Sequence, residues 1–137
     1  MPSKTSNTKK YTYALGRRRS AVATVKLYPG KLDSKVNNKP IKTYFKDKFD
    51  DTYYLKPFVT TSTQDKYYFE SKIVGGGKVS QKEALVLAIS RALKIINPEF
   101  GQLLRTAGLL TVDSRVRQRR QVGKGGKSRR QKQSPKR

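Results

Sequence analysis

The stretch YYFESKIVGGGKVSQKEALVLAISRALKII, residues 67–96, contains the two elements that decide the fold. Residues 67–74 are rich in aromatic and β-branched side chains, which is typical of a strand. From residue 80 onward the apolar side chains recur every three or four positions, which predicts an amphipathic helix over 80–96. Ser80 and Glu83 have the spacing of a capping box, so we expect this helix to begin at Ser80.

A second strand is predicted on the N-terminal side of this stretch. Alternating apolar residues over 20–28 favour a strand with Ala21, Ala23, Val25 and Leu27 on one face. Pro29 and Gly30 indicate a turn, after which residues 32–36 are expected to close a hairpin with it. The spacing of apolar side chains over 41–50 favours a short helix.

The C-terminal side of the stretch predicts a second, shorter helix. Asn97 suits an N-cap and Pro98 suits the first helical position. Phe100, Leu103 and Leu104 supply its apolar face, and Gly108 is expected to end it. These elements together predict a small α+β domain with helices packed on one face of a sheet.

The composition excludes several classes of protein. The 137 residues are enough for one domain and contain no Cys, His or Trp. Disulfides, a thiolate nucleophile, Cys- or His-ligated zinc and an imidazole base are therefore excluded. The nine acidic residues leave few acid–base groups, and the adjacent Asp50 and Asp51 are interpreted as surface charge. We therefore expect neither an enzyme nor a cofactor or metal.

The net charge of +23 is concentrated at the C-terminus. Residues 1–114 contain 21 basic and 9 acidic residues, whereas 115–137 contain 11 basic residues and no acidic one. Such a segment cannot bury enough apolar surface to order itself, so we expect it to be disordered when free. The chain thus divides into a polar extension (1–10), a globular domain (11–114) and a basic arm (115–137). A solubility tail and a nuclear-localisation signal over 127–132 are the alternatives for the arm.

A charge of this size predicts a polyanionic partner, with nucleic acid first and an anionic membrane second. The arginines at 17–19 lead into a strand, where their guanidinium groups can hold phosphates. The glycines at 75–77 precede a helix N-terminus, which can bind a backbone phosphate, although they can equally form a tight structural turn. The P-loop and dinucleotide-binding patterns do not fit these glycines.

Three other classes of function are weighed against RNA binding. A DNA-architectural protein would show an intercalating wedge or a dimer interface, and neither is evident. An RNA-processing enzyme would need acid–base groups that the composition does not supply. A membrane-surface protein would need a helix with a basic face, but the helix at 80–96 has only Lys82, Arg91 and Lys94. The aromatics at 67–69 lack the signature of a base-stacking sheet and are better explained by core packing.

Four blocks in order resemble the family of small ribosomal subunit protein nine, in its bacterial or plastid form. They are YALGRRRSAVATVKLYPG (13–30), IVGGGKVSQKEALVLAISRAL (73–93), LLRTAGLLTVDSR (103–115) and the terminal Lys136-Arg137. The resemblance implies a compact α+β fold with a four-stranded sheet backed by helices and a long C-terminal arm. The ending Gln-Ser-Pro-Lys-Arg departs from the aromatic-Ser-Lys-Arg ending that is usual in the family.

The resemblance also implies a function and its residues. The protein would be a structural, non-enzymatic constituent of the small subunit, bound to ribosomal RNA in the head beside neighbouring head proteins, without membrane or DNA partners. Lys136 and Arg137 would contact transfer RNA in the peptidyl site. The residues assigned to ribosomal RNA are Arg17, Arg18, Arg19, Gly75, Gly76, Gly77 and Lys78 in the domain, and Arg115, Arg117, Arg119, Arg120, Lys124, Lys127, Arg129, Arg130 and Lys132 in the arm.

The amino-acid usage suggests a compartment. The chain contains 20 Lys against 12 Arg and is rich in Asn and Tyr, which fits an AT-rich genome. Because no import peptide is visible, we predict a plastid-encoded protein in the stroma, with a bacterial cytoplasm as the alternative.

Overall fold

A five-stranded sheet with helices on one face forms the framework of the chain. The computed structural model describes residues 10–46, 52–125 and 131–136. The strands are β1 (Thr12–Arg18), β2 (Ala21–Pro29), β3 (Lys35–Val36), β4 (Lys39–Pro40) and β5 (Tyr67–Val74). The helices are α1 (Ile41–Tyr44), α2 (Lys56–Thr60), which follows a 3₁₀ turn (Tyr53–Leu55), α3 (Lys78–Ile96) and α4 (Pro98–Thr106).

The sheet has the strand order β1-β2-β5-β3-β4. All neighbouring pairs are antiparallel except β3 and β5, which run parallel. The α+β class is confirmed, and the sheet has five strands where the resemblance implies four. The strands β3 and β4 are each only two residues long, and the fifth strand is β4, which pairs only with β3 at the edge of the sheet.

The predicted hairpin between 20–28 and 32–36 is wrong. Strand β2 pairs instead with β1 and β5, and only Lys35–Val36 of the second segment is a strand, placed beside β5. The true hairpin joins β1 to β2 through Arg19 and Ser20, since Arg18 pairs with Ala21. Arg19 has a φ of 53°, a left-handed conformation that suits a tight hairpin turn.

The core lies between the sheet and α3, as the alternation in 20–28 predicts. Ala21, Ala23 and Val25 are fully buried, and Leu27 is 1% exposed. They meet Leu85, Ile89 and Leu93 from the apolar stripe of α3, which are also fully buried. Burial of each such leucine or isoleucine contributes about 1.5–3 kcal/mol.

The predicted capping box at the start of α3 is wrong. The helix begins at Lys78 with Gly77 as its N-cap, and no side chain caps it. Ser80 lies inside the first turn, and the Glu83 carboxylate accepts a hydrogen bond from Arg18 rather than from a backbone amide. The end at Ile96 agrees with the prediction.

The predicted start and end of the second helix are confirmed, whereas Leu103, predicted on its apolar face, is 50% exposed. The Asn97 side chain accepts a hydrogen bond from the amide of Glu99 at 3.1 Å, and Pro98 is the first helical residue. Gly108 follows the last turn with a φ of 73°. Its amide donates to the carbonyl of Arg105 at 3.0 Å, which closes the helix end.

The predicted helix over 41–50 and the aromatic residues at 67–69 are compared with the structure as far as it describes them. A short helix is present at Ile41–Tyr44, but the rest of 41–50 lies largely outside the described residues, as do Asp50 and Asp51. Core packing explains Phe69, which is 1% exposed. Tyr68 is buried on the opposite face of the sheet, where it stacks on Tyr28 with ring centroids 5.1 Å apart.

Candidate nucleic-acid interface

The arginine cluster at 17–19 points in two directions because it spans the end of a strand and a turn. Arg17 and Arg19 are exposed, and the Arg17 Nε donates to the carbonyl of Arg19 at 3.1 Å. Arg18 belongs to the face of β1 that packs toward α3, and its side chain is only 11% exposed. Two of the three guanidinium groups are therefore available to phosphates at this turn.

Arg18 ties three segments of the chain together. Its Nε donates to Glu83 Oε2 in α3 at 2.6 Å, and its Nη2 lies 3.4 Å from Asp113 Oδ2. Its Nη1 donates to the carbonyl of Arg115, the first residue of the arm, at 3.0 Å. Contact of Arg18 with RNA remains a prediction, whereas within the chain this side chain fixes the start of the arm to the domain.

Asp113 is the second anchor of the arm. The Arg115 guanidinium donates to its Oδ2 at 2.7 Å, and the Arg115 amide donates to its Oδ1 at 3.1 Å. These hydrogen bonds, and then the charges of Arg115 and Arg18, hold the pKa of the Asp113 carboxyl well below its usual range. The last acid of the chain is thus ionised and paired where the uninterrupted positive charge begins.

Replacement of the tethering arginine should destabilise the domain. Arg18→Gln leaves Glu83 and Asp113 without their partly buried partner, and we expect a loss of about 2 kcal/mol in the free energy of unfolding. Urea unfolding followed by circular dichroism measures this loss. Arg17→Gln removes an equal charge from an exposed position and should change the free energy by less than about 0.5 kcal/mol. Equal, small losses for both variants would contradict the tether.

The glycine loop packs against the arginine turn. Gly75 and Gly76 have φ values of 78° and 66°. A methyl group at position 75 would overlap the carbonyl oxygen of Ser20, and one at position 76 would lie 2.8 Å from the Cβ of Ala21. The two glycines therefore meet a structural requirement, which supports the tight-turn interpretation.

The last glycine and the following lysine have different surroundings. Gly77 is exposed, and a Cβ there would touch nothing within 4 Å. The Lys78 ammonium donates to the carbonyl of Tyr44 at 3.1 Å and lies 3.8 Å from the centroid of its ring. Lys78 is held by α1, while the backbone at Gly77 is open to a ligand.

The arm has no regular helix or strand in its described residues, 115–125 and 131–136. Arg117, Arg119, Lys124, Lys132 and Lys136 are exposed there, and Arg120 is half-buried. A turn forms at 121–124, where the Lys124 amide donates to the carbonyl of Gln121 at 3.1 Å and Gly123 has a φ of 87°. The remaining predicted contacts lie outside the described residues: Lys127, Arg129, Arg130 and Arg137.

Other kinds of site find no support in the described ranges. No group of three acidic residues in 10–46, 52–125 and 131–136 is placed to hold a metal ion. No helix within these ranges is long and apolar enough to cross a membrane. Tyr11 and Tyr13 are exposed as well, and no local sequence signal marks them, because their positions on the sheet become apparent only once β1 is placed.

Comparison with known proteins gives one consistent family. The sequence profile described as ribosomal protein S9/S16 matches residues 16–137. Small ribosomal subunit protein uS9 of Lawsonia intracellularis is 42% identical over 113 residues, which cover 82% of this chain and 87% of that protein. The protein of the same name from Maridesulfovibrio salexigens is 40% identical over 118 residues, covering 86% and 91%. That from Chlorobaculum parvum is 42% identical over 110 residues, covering 80% and 85%.

Proposed function

The chain belongs to the ribosomal protein S9/S16 family, and we propose that it binds small-subunit ribosomal RNA and extends its arm toward transfer RNA in the peptidyl site. It is a structural constituent of the small ribosomal subunit and not an enzyme.

The observation that carries the proposal is that three segments lie together at one end of the sheet: the arginine turn, the glycine loop and the start of the arm. The glycine loop lies against the turn that bears Arg17 and Arg19, since Gly76 has no room for a side chain beside Ala21. The start of the arm is bound to the same strand end through Arg18 and Arg115. Two exposed guanidinium groups, the exposed backbone at Gly77 and the start of a polycationic arm thus lie at one end of the sheet, where they can meet RNA phosphates.

The arm supplies charge rather than base specificity. Lysine and arginine bound to phosphates position a protein on RNA without reading its sequence. Val116 and Val122 are its only apolar residues, and both are exposed. We propose that the arm neutralises phosphates between crowded RNA helices and that its last two cations, Lys136 and Arg137, stabilise the transfer RNA.

Sedimentation tests the ribosomal location. A lysate of the source cell or organelle is run through a sucrose gradient in low and in high salt, and the fractions are probed for this chain. Comigration with the small subunit that persists in moderate salt is the expected result. Migration with DNA, or retention at the top of the gradient, would contradict RNA binding in the subunit. The same experiment on isolated plastids tests the proposed stromal location, because the relatives described above are bacterial.

Removal of the last two residues tests the contact with transfer RNA. Small subunits reconstituted with a chain lacking Lys136 and Arg137 should bind peptidyl-site transfer RNA about three- to tenfold more weakly, since charge-assisted contacts at an exposed site are lost. Filter binding of labelled transfer RNA measures the change. The matched control is the double variant Lys39→Gln and Lys42→Gln, which removes two exposed cations from the domain. A truncated chain that matches the control would refute the contact.

A further inference from the structure

One face of the sheet is left open by the helices. The faces of β1 and β2 that carry Ala14 and Ala23 pack on α3. On the opposite face, Tyr13 is 53% exposed, Leu15 is 40% exposed and Val74 is 59% exposed. We call this surface, on which these side chains are exposed, the open face.

An aromatic row crosses the open face over three strands. The Tyr28 ring in β2 stacks on Tyr68 in β5 at 5.1 Å with an interplanar angle of 13°. The Tyr11 ring, next to β1, lies 5.6 Å from Tyr28 with a tilt of 54°. Tyr28 and Tyr68 are buried, whereas Tyr11 is 46% exposed. The row therefore ends in one exposed ring, that of Tyr11, which its contact with Tyr28 already orders, and this lowers the entropic cost of stacking on a base.

The charge of the open face is positive. Lys26 lies directly opposite Tyr13 across the β1–β2 pair, and its ammonium is 5.2 Å from the Tyr11 ring centroid. Arg17, Lys35 and Lys72 share this face and are exposed. Glu70 is the only acidic residue that the described strands place there, and it accepts a hydrogen bond from the Tyr28 hydroxyl at 3.5 Å. Burial and this carboxylate raise the pKa of Tyr28, which keeps the hydroxyl protonated as the donor.

We propose that the open face binds unpaired bases of ribosomal RNA, with Tyr13 and Tyr11 stacking on bases while Lys26 and Lys72 hold the adjoining phosphates. Exposed aromatic rings set among cations on a sheet form the surface that single-stranded nucleic acid recognises. Duplex RNA would satisfy the cations but would offer no base face to the rings. The inference rests on the proposed RNA-binding function and adds to it a second surface, distinct from the arm.

Paired substitutions separate stacking from charge. Tyr13→Leu keeps an apolar side chain in the strand but removes the ring, and Tyr13→Phe keeps the ring but removes the hydroxyl. Fluorescence anisotropy of the full chain with a labelled single-stranded oligouridine should show about tenfold weaker binding for Tyr13→Leu and nearly unchanged binding for Tyr13→Phe. The slope of log affinity against log salt should be the same for both, because neither substitution removes a charge.

The controls distinguish failure of this inference from failure of the proposed function. Both variants should bind a hairpin RNA duplex as the parent chain does, and their circular dichroism should match it. A parent chain that binds neither RNA would refute the proposed function. A parent chain that binds both, together with a Tyr13→Leu variant of equal affinity for oligouridine, would overturn only the inference.

A crosslinking experiment in the assembled particle identifies what covers the open face. A photoreactive phenylalanine derivative is placed at position 13, and small subunits containing it are irradiated. A crosslink to nucleotides in a loop or bulge supports the proposal. A crosslink to a neighbouring protein or to the sugar edge of a paired helix, or no crosslink at all, would overturn it.

Discussion

Deletion of residues 115–137 is expected to flatten the plot of log affinity for ribosomal RNA against log salt concentration by about 7–9 units. The deleted arm contains eleven cations and no acid. Arg115 pairs with Asp113, so the expected change in slope is calculated from the other ten cations. Each phosphate neutralised contributes roughly 0.7–0.9 to the slope, because its condensed counterions are released. The arm should thus dominate the electrostatic part of binding.

Filter binding to small-subunit ribosomal RNA at several salt concentrations measures this slope. The matched control is a full-length chain in which the same ten cations are replaced by Gln, which keeps the length of the arm. Both variants should give the same slope if charge alone is responsible. A change of only one or two units on deletion would show that the arm is a minor contact and that the domain supplies most of the phosphate contacts.

The elements that could be predicted from the sequence are those specified by neighbouring residues. Strand β5 matches its predicted bounds, because aromatic and β-branched residues fill it and glycines end it. The body of α3 follows from its apolar stripe, and α4 follows from Asn97, Pro98 and Gly108. In each of these cases the hydrogen bonds or the periodicity that define the element involve residues only a few positions apart.

The predictions that failed depend on distant partners. The turn at Arg19 has a positive φ without glycine or asparagine, so no turn signal separates β1 from β2. No capping box forms at Ser80. The Glu83 carboxylate that would complete it accepts a hydrogen bond from Arg18 instead, and Arg18 lies 65 positions earlier in the sequence. Strand β3 pairs with β5 in parallel. The paired residues are 35 positions apart in the sequence, so no local pattern predicts this pairing.

Part of the candidate interface can likewise be predicted from the sequence, and part of it requires the strand register. Composition and charge distribution predict the kind of partner, since a cation-rich arm without acids is visible in the sequence itself. The direction in which Arg18 points, and the presence of Tyr13 beside Lys26, require the strand register. A shift of one residue in that register would exchange the faces and place Arg17 against α3.

The close packing of α3 on β1 depends on a single glycine, and Gly16→Ala should therefore be the most destabilising small substitution in the domain. A Cβ at position 16 would overlap the carbonyl oxygen of Ala84 and lie 2.6 Å from the amide nitrogen of Ala88. Both atoms belong to the helix backbone and cannot move by a change of rotamer. We expect a loss of about 3 kcal/mol or more in the free energy of unfolding, because the helix must withdraw from the sheet. Thermal unfolding should shift downward by roughly 10–20 °C.

The matched control is Gly77→Ala, because a Cβ at that position meets nothing within 4 Å. Replacing glycine by alanine restricts the unfolded chain and stabilises a protein by about 0.4–1 kcal/mol where the backbone permits it. Loss of the glycine N-cap of α3 opposes this gain by a similar amount, so the control should stay within about 1 kcal/mol of the parent. Gly16→Ala restricts the unfolded chain in the same way as Gly77→Ala. The large loss of stability expected for Gly16→Ala is therefore due to the steric overlap with α3. If the two variants unfold at the same temperature, the contact between Gly16 and α3 is looser than the structure shows.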